Sequence, residues 1–296
     1  MIQDGLSKAE VALVVDNSHL CYRAYYANQE LATSKGILSG HIFGCAKMLI
    51  SMFRDLGTNI CPVFCYDGKG AKAVRQQILP TYKANRKILP VDPIGDCKAK
   101  ILAFMPGLHV EKEGFEGDDA IAWVVRTIPK DKRAIIHSGD KDLHALKGGN
   151  VQVFSPSKGR MVTDEDIFEE FHVKSAEKIY LAKSLFGDSS DNIKGVERLL
   201  KKQVEPVLEK CLTPDEFYET LKEQPESMSD KQYHNAVAAK EAVLKNYQVI
   251  LPRTEGFSKD DIKRVMKTEE NKNKLLETLE TYECFSVMEE AKRLYE

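Results

Sequence analysis

The chain has 296 residues, 43% hydrophobic and 30% charged, with a formal net charge of −2. That is enough apolar content for a sizeable core, and the near balance of charge excludes a polybasic chain while leaving room for a local basic patch hidden in the sum. Seven cysteines, odd in number, scattered and without a CxxC pair, exclude a disulfide scaffold and a zinc ribbon; with no secretory signal and no apolar run near the roughly 18 residues of a membrane span, we expect a soluble, cytoplasmic protein with unpaired core thiols.

In chain order, Glu10–Val15 reads as a buried strand ending at Asp16, followed by the turn and cap pair Asn17-Ser18. Leu20–Ala27 is helical, rich in Tyr and carrying Arg23, and residues 40–56 form an amphipathic helix. Ile60–Tyr66 is a second strand, and it too ends in an acid, Asp67. Asp capping a helix after one strand is common; two successive strands ending this way point to a shared ligand edge. From Lys69 to Lys100 the chain turns basic: Lys69, Lys72, Arg75, Lys83, Arg86, Lys87, Lys98 and Lys100 stand against Asp92 and Asp96, with Tyr82 among them. Cations for phosphate and a ring for base stacking suit a single-strand path. Pro80, Pro90 and Pro93 break the stretch into short pieces, as in a mobile insertion over a site. Out of context, the same lysines would read as a solvated loop.

The organising stretch is Glu116-Gly-Asp118-Asp119, with Asp140 and Asp142 shortly after, five carboxylates within 27 residues. Asp118 opens an apolar run and reads as a helix start, where the helix dipole favours a carboxylate. Ala134–Ile136 reads as a buried parallel strand with His137–Asp142 in the loop at its C-terminal end. Asp118 alone would be an ordinary cap. Two such clusters beside hydrophobic runs need a counter-charge, and oxygen ligands with no His or Cys among them favour magnesium or manganese. Val151–Phe154 is a further strand, Ser155–Arg160 a hairpin-like turn, and 164–186 helical. The last acidic loop, Gly187–Gly195, carries Asp188 and Asp191, and Lys194, Arg198, Lys201 and Lys202 form a basic helix start after it. Residues 205–296 are mostly charged helical sequence in which we find no chemistry.

Asp16-Asn-Ser-His-Leu-Cys-Tyr-Arg-Ala, Tyr82-Lys-Ala-Asn-Arg86, Phe115-Glu-Gly-Asp-Asp119, Ser138-Gly-Asp-Lys-Asp142 and Gly187-Asp-Ser-Ser-Asp-Asn-Ile-Lys-Gly-Val196 occur in that order. Together they resemble the 5′ nuclease (flap endonuclease) family, which includes the 5′ nuclease domain of bacterial DNA polymerase I and free-standing phage 5′-exonucleases. The resemblance covers about residues 10–255. It implies an α/β fold, a mainly parallel central sheet flanked by helices, with a nuclease core over 1–186, a helical arch over about 69–100, and a helical region over 187–296 holding a helix–turn–helix-type duplex-binding motif. It implies that Asp16, Asp67, Glu116, Asp118, Asp119, Asp140, Asp142, Asp188 and Asp191 hold two Mg2+ (or Mn2+) ions. Lys83, Arg86, Asp118 and Asp140 would carry the chemistry, and Arg75, Tyr82, Lys83, Arg86, Lys194, Arg198, Lys201 and Lys202 would bind nucleic acid.

The reaction implied is phosphodiester hydrolysis of DNA or RNA–DNA hybrid at a 5′ end or 5′ flap, by a monomer working beside replication proteins in a bacterial or phage-infected cytoplasm, with primer removal as its role. Two ions about 4 Å apart would activate water and stabilise the leaving oxygen. One segment departs from the pattern. Where the family runs Gly-Val-x-Gly-Ile-Gly-x-Lys and often binds potassium, this chain has Gly195-Val-Glu-Arg-Leu-Leu-Lys-Lys202. Side chains from Lys194 to Lys202 would then replace backbone contacts to a duplex. The competing readings are a non-catalytic nucleic-acid-binding relative, which nine retained acids beside phosphate disfavour, and an aspartate-nucleophile phosphotransferase, which would want Asp at position 18 where Ser18 stands.

Overall fold

Val11–Asp16 forms β1, and five of its six residues are buried in succession. That pattern belongs to a strand with both faces covered, and β1 pairs in parallel with β2 (Ile60–Cys65) on one side and β4 (Arg133–His137) on the other. The computed structural model describes Leu6 and residues 9–56, 59–86 and 88–296; Lys87, counted above in the basic segment, lies outside the described residues. β3 (Gly107–Val110) extends the sheet beyond β2, and β5 (Val151–Ser155) beyond β4, both in parallel. β6 (Arg160–Met161) and β9 (Ile262–Val265) close the two edges antiparallel, giving the order β6-β5-β4-β1-β2-β3-β9. The chain moves outward from β1 in both directions, so the C-terminal ends of β1, β2 and β4 form a topological switch point, where open α/β sheets bind ligands.

Alternate residues of β1 feed two cores. Ala12 and Val14 pack with the helices Gly117–Thr127 and Ile179–Phe186. Leu13 and Val15 pack with Asn17–Ala27, Gly40–Leu56 and Pro93–Lys100 on the other face. No described helix is long and apolar enough to cross a membrane. All seven cysteines are buried and unpaired, as the core-thiol reading expects.

Three local expectations are corrected. β3 was not anticipated, since Gly107-Leu-His-Val is too short to stand out from a loop. The helical stretch 164–186 breaks into Asp164–Phe171, a 3-10 turn and Ile179–Phe186; His172 at φ 56 ends the first piece in the left-handed conformation. The reading of 205–296 as mostly helical omits one strand. Ile262–Val265 returns to pair with β3, and Leu275 and Leu279 of the helix Glu269–Thr281 enter the same core as Leu13 and Val15.

Candidate active site

Each acid of the site is placed by the end of a secondary-structure element. Asp16 closes β1 and caps the following helix, accepting from the His19 amide at 3.0 Å and from Ser138 Oγ at 2.6 Å. Ser138 Oγ in turn accepts from the Asp140 amide at 2.9 Å, which locks the loop after β4 to the end of β1. Asp67 lies two residues beyond β2 and accepts from Ser18 Oγ and the Gly117 amide, both at 2.7 Å. Ser18, which argued against a phosphotransferase, is thus the group that orients Asp67.

Asp118 sits in the first turn of the helix Gly117–Thr127 with no hydrogen-bond donor among the described side chains. Burial, then the charges of Asp140 and Asp16, push its carboxyl well above the usual carboxylate range. Asp16 is raised to about 6, by burial first and by Asp140 and Asp67 among the smaller causes. Groups held this close without an interposed cation repel one another, and a divalent ion relieves that repulsion. Asp16, Asp67, Asp118 and Asp140 therefore fit a hard cation: all oxygen, negative, and short of positive partners.

The remaining carboxylates divide differently. Asp142, Asp188 and Asp191 bring oxygens within 4.8 Å of one another. Asp142 and Asp188 line a cleft of about 890 Å³ together with Asp140 and Lys183. Lys183 was missed from sequence. Its ammonium pairs with Asp142 and, at 2.5 Å, with Asp188, between the two carboxylates. A lysine inside the apolar helix Ile179–Phe186 was the available signal, because a buried ammonium requires a partner. Burial raises Asp142 to about 6 despite that lysine, with Asp140 the next cause.

Glu116 and Asp119 depart from the expected ligand set. They form a reciprocal capping box at the same helix start. Asp119 is fully buried; its two oxygens accept from Arg75 at 2.7 and 2.9 Å, from the Arg253 amide at 2.7 Å and from the Glu116 amide at 3.0 Å. It has no lone pair to spare for a metal. Glu116 accepts from Tyr82 Oη at 2.8 Å and from Lys83 Nζ at 3.1 Å, and lies 3.3 Å from Arg75.

Arg75 and Tyr82, expected on a nucleic-acid path, are therefore interior residues, 2% and 3% exposed. The segment bearing them is docked rather than loose: the Lys83 amide donates to the Asp191 carbonyl at 2.9 Å, and Asn192 Nδ2 to the Thr81 carbonyl at 2.7 Å. Within about 69–100 the helices are short, Ala73–Ile78 and Pro93–Lys100. Docking sets Lys83 Nζ 3.8 Å and Arg86 Nη2 3.7 Å from Asp191.

In the altered basic segment, Lys194, Arg198 and Lys202 are exposed. Lys201 instead donates to the Glu170 carbonyl at 2.6 Å and lies over the Phe186 ring, so its charge faces the protein. Arg198, where the family pattern has glycine, adopts the left-handed conformation at φ 60.

The raised Asp16 carboxyl has a stability consequence. Its folded-state value lies above the unfolded one, so its ionisation opposes folding: stability is intact below about 4 and falls as pH rises to about 6. In chelator, Asp16→Asn, which cannot ionise, should gain roughly 3 kcal/mol on wild type between pH 4 and pH 7. Urea unfolding at the two ends of that window reads the gap; a gap that does not change with pH removes the claim of charge crowding.

Comparison with known proteins follows the same lines. Residues 11–172 match the family model described as 5′-3′ exonuclease, N-terminal resolvase-like domain. A 5′-3′ exonuclease of Aquifex aeolicus is 30% identical over 296 residues, 95% of each chain. The thermostable DNA polymerase I of Thermus thermophilus is 29% identical over 222 residues, which is 74% of this chain but 26% of that one. The chain thus spans about a quarter of the length of such polymerases. A structure of the bacteriophage T5 flap endonuclease, in a pseudo-enzyme–product complex with DNA and metal ions, shares the fold with a TM-score of 0.62 at 18% identity, over 95% of this chain and 99% of that one. With the family model spanning more than half the chain and the Aquifex relative matching along nearly all of it, this protein belongs to the 5′-3′ exonuclease family of metal-dependent nucleases.

Proposed function

We propose that the chain is a structure-specific 5′ nuclease that hydrolyses phosphodiesters of DNA, or of RNA–DNA hybrid, at a 5′ end or 5′ flap, with two Mg2+ or Mn2+ ions and a role in primer removal. The observation that carries this reading is the set of carboxylates at the C-terminal ends of β1, β2 and β4, short of any cation, with Lys83 and Arg86 at its border. Asp16, Asp67, Asp118 and Asp140 would hold the first ion, and Asp142, Asp188 and Asp191 the second. The ions supply Lewis acidity to the scissile phosphate and to the water that attacks it.

The protein's own part is positioning and charge. Ser138, Ser18 and the Gly117 amide hold Asp16 and Asp67 in their rotamers before any ion arrives. Lys183 holds Asp142 and Asp188 together, and its ammonium would give way to a second divalent ion held by those carboxylates. Lys83, at φ 53 and paired with Glu116, would release toward the scissile phosphodiester as negative charge develops on it in the transition state.

A 5′-labelled flap substrate tests the proposal: cleavage in Mg2+, none in chelator, with products from the 5′ side. Absence of cleavage in both Mg2+ and Mn2+ would overturn it. Lys83→Ala should lower the single-turnover rate by about 10²-fold at saturating enzyme, the cost of removing one charge-stabilising group. If the defect vanishes at saturation, Lys83 serves binding alone.

A further inference from the structure

Away from the carboxylate edge, three helices direct one thiol each to a common point. Cys21 comes from Asn17–Ala27, Cys45 from Gly40–Leu56 and Cys97 from Pro93–Lys100, and all three are 0% exposed. Their sulfurs lie within 4.8 Å of one another; among the described residues no other three cysteines converge in this way. We propose that Cys21, Cys45 and Cys97 form a buried three-thiolate site for a soft, thiophilic centre, with trivalent arsenic as the ligand of best-matched charge.

The geometry is near closure. With bonds of about 2.3 Å, as in zinc thiolates, three sulfurs around a pyramidal arsenic(III) centre stand roughly 3.5 Å apart. From separations within 4.8 Å, at most about 1.3 Å of adjustment brings the three sulfurs there. Hard cations such as Mg2+ select the oxygen-rich edge and leave thiols alone, so the two sites sort ligands by softness. Charge then chooses among soft ligands. The three thiols share one buried core with Leu20, Ala24, Ile42, Ala46, Leu49 and Ile101, all apolar, and the carboxylates of Asp16 and Asp96 act on Cys21 and Cys97. Three thiolates around a divalent ion would leave one further negative charge in that core, which is costly. Around arsenic(III) they leave none.

The reagent is neutral as well. Arsenous acid, As(OH)3, exchanges three As–O bonds for three As–S bonds; each thiol proton leaves with a hydroxyl as water, and three waters are released. Arsenic stays trivalent and no sulfur is oxidised, so no further reactant is needed. Cys97 is the thiol placed to react first, since hydrogen bonds from Cys21 and then Cys45 lower it to about 5.

The experiment uses the full chain, reduced, with sodium arsenite as the probe. Carboxylates do not retain arsenous acid, so the candidate nuclease site stays silent in this test. Native mass spectrometry should show one arsenic gained and three hydrogens lost per chain. X-ray absorption of the loaded wild type should count three sulfur neighbours and no oxygen. Cys45→Ala should weaken arsenite binding by more than roughly 100-fold, beyond the 10–100-fold of an outer-shell change, whereas Cys211→Ala should leave it unchanged. No adduct, a shell with oxygen or two sulfurs, or full affinity in Cys45→Ala would overturn the proposal. If Cys45→Ala does not fold, the wild-type sulfur count decides alone.

Discussion

Asp118→Asn is expected to lower the single-turnover cleavage rate by about 10³-fold or more while leaving DNA affinity unchanged or slightly improved. The size follows from the role: a carboxylate that helps fix an ion stabilising the transition state by several kcal/mol takes most of that with it, at about tenfold per 1.4 kcal/mol. The direction of the binding effect follows from repulsion. Asp118 is crowded by Asp140 and Asp16, and its carboxyl lies well above the ordinary range because burial and those charges oppose its ionisation. Replacing it with a neutral isostere removes a negative charge facing phosphate. The fold should hold, since no hydrogen bond within the chain depends on the Asp118 side chain among the described residues. Rapid-quench kinetics with excess enzyme, beside a binding titration in chelator, separates the two effects. Cleavage within tenfold of wild type would remove Asp118 from the ion site.

Arg75→Ala is expected to act on stability, costing about 3–5 kcal/mol, the range for removing one partner of a buried ion pair. Its guanidinium holds fully buried Asp119 through two hydrogen bonds of 2.7 and 2.9 Å and also donates to the Val249 carbonyl at 2.8 Å, tying the helix Lys240–Ile250 to the site. Without it, Asp119 is left as an uncompensated charge in the interior. Arg75→Lys should recover only part of the loss, because an ammonium cannot reproduce the bidentate fork. Arg75→Ala with Asp119→Asn should recover more than Arg75→Ala alone, since the stranded charge is gone. Urea unfolding reads all three. If Arg75→Ala unfolds with wild-type midpoint and instead loses affinity for single-stranded DNA, the arginine faces nucleic acid after all.

The sequence alone determined the strand ends. Runs such as Val11–Val15 and Ala134–Ile136 are apolar on both faces, as central parallel strands are, and the acids that follow, Asp16 directly and Asp140 in the next loop, fall at the ligand-binding edge. It also determined, through five short motifs in order, the family to which the chain belongs. What it could not do was sort nine carboxylates by neighbour. Glu116, Asp118 and Asp119 are adjacent in sequence, yet one pairs with Lys83 and Tyr82, one stands among repelling acids and one is enclosed by Arg75.

Helix geometry decides that: at about 100° per residue Asp118 and Asp119 point to different surroundings, and Glu116 precedes the helix as its extended cap. The basic segment could not be sorted for the same reason. Charge counts give the sum of Arg75, Lys83 and Arg86, and only packing against residues 189–192 and 249–253 tells which cation is interior and which is half-exposed. The partners of Lys183 were invisible because they lie 41 residues before it and five after, and no local pattern links them. The three-thiol cluster is the extreme case, assembled from positions 21, 45 and 97 by three helices packing on one sheet face. Alternation and strand-end chemistry are local and survive in sequence; the pairing of charges and thiols is set by which surfaces the tertiary fold brings together.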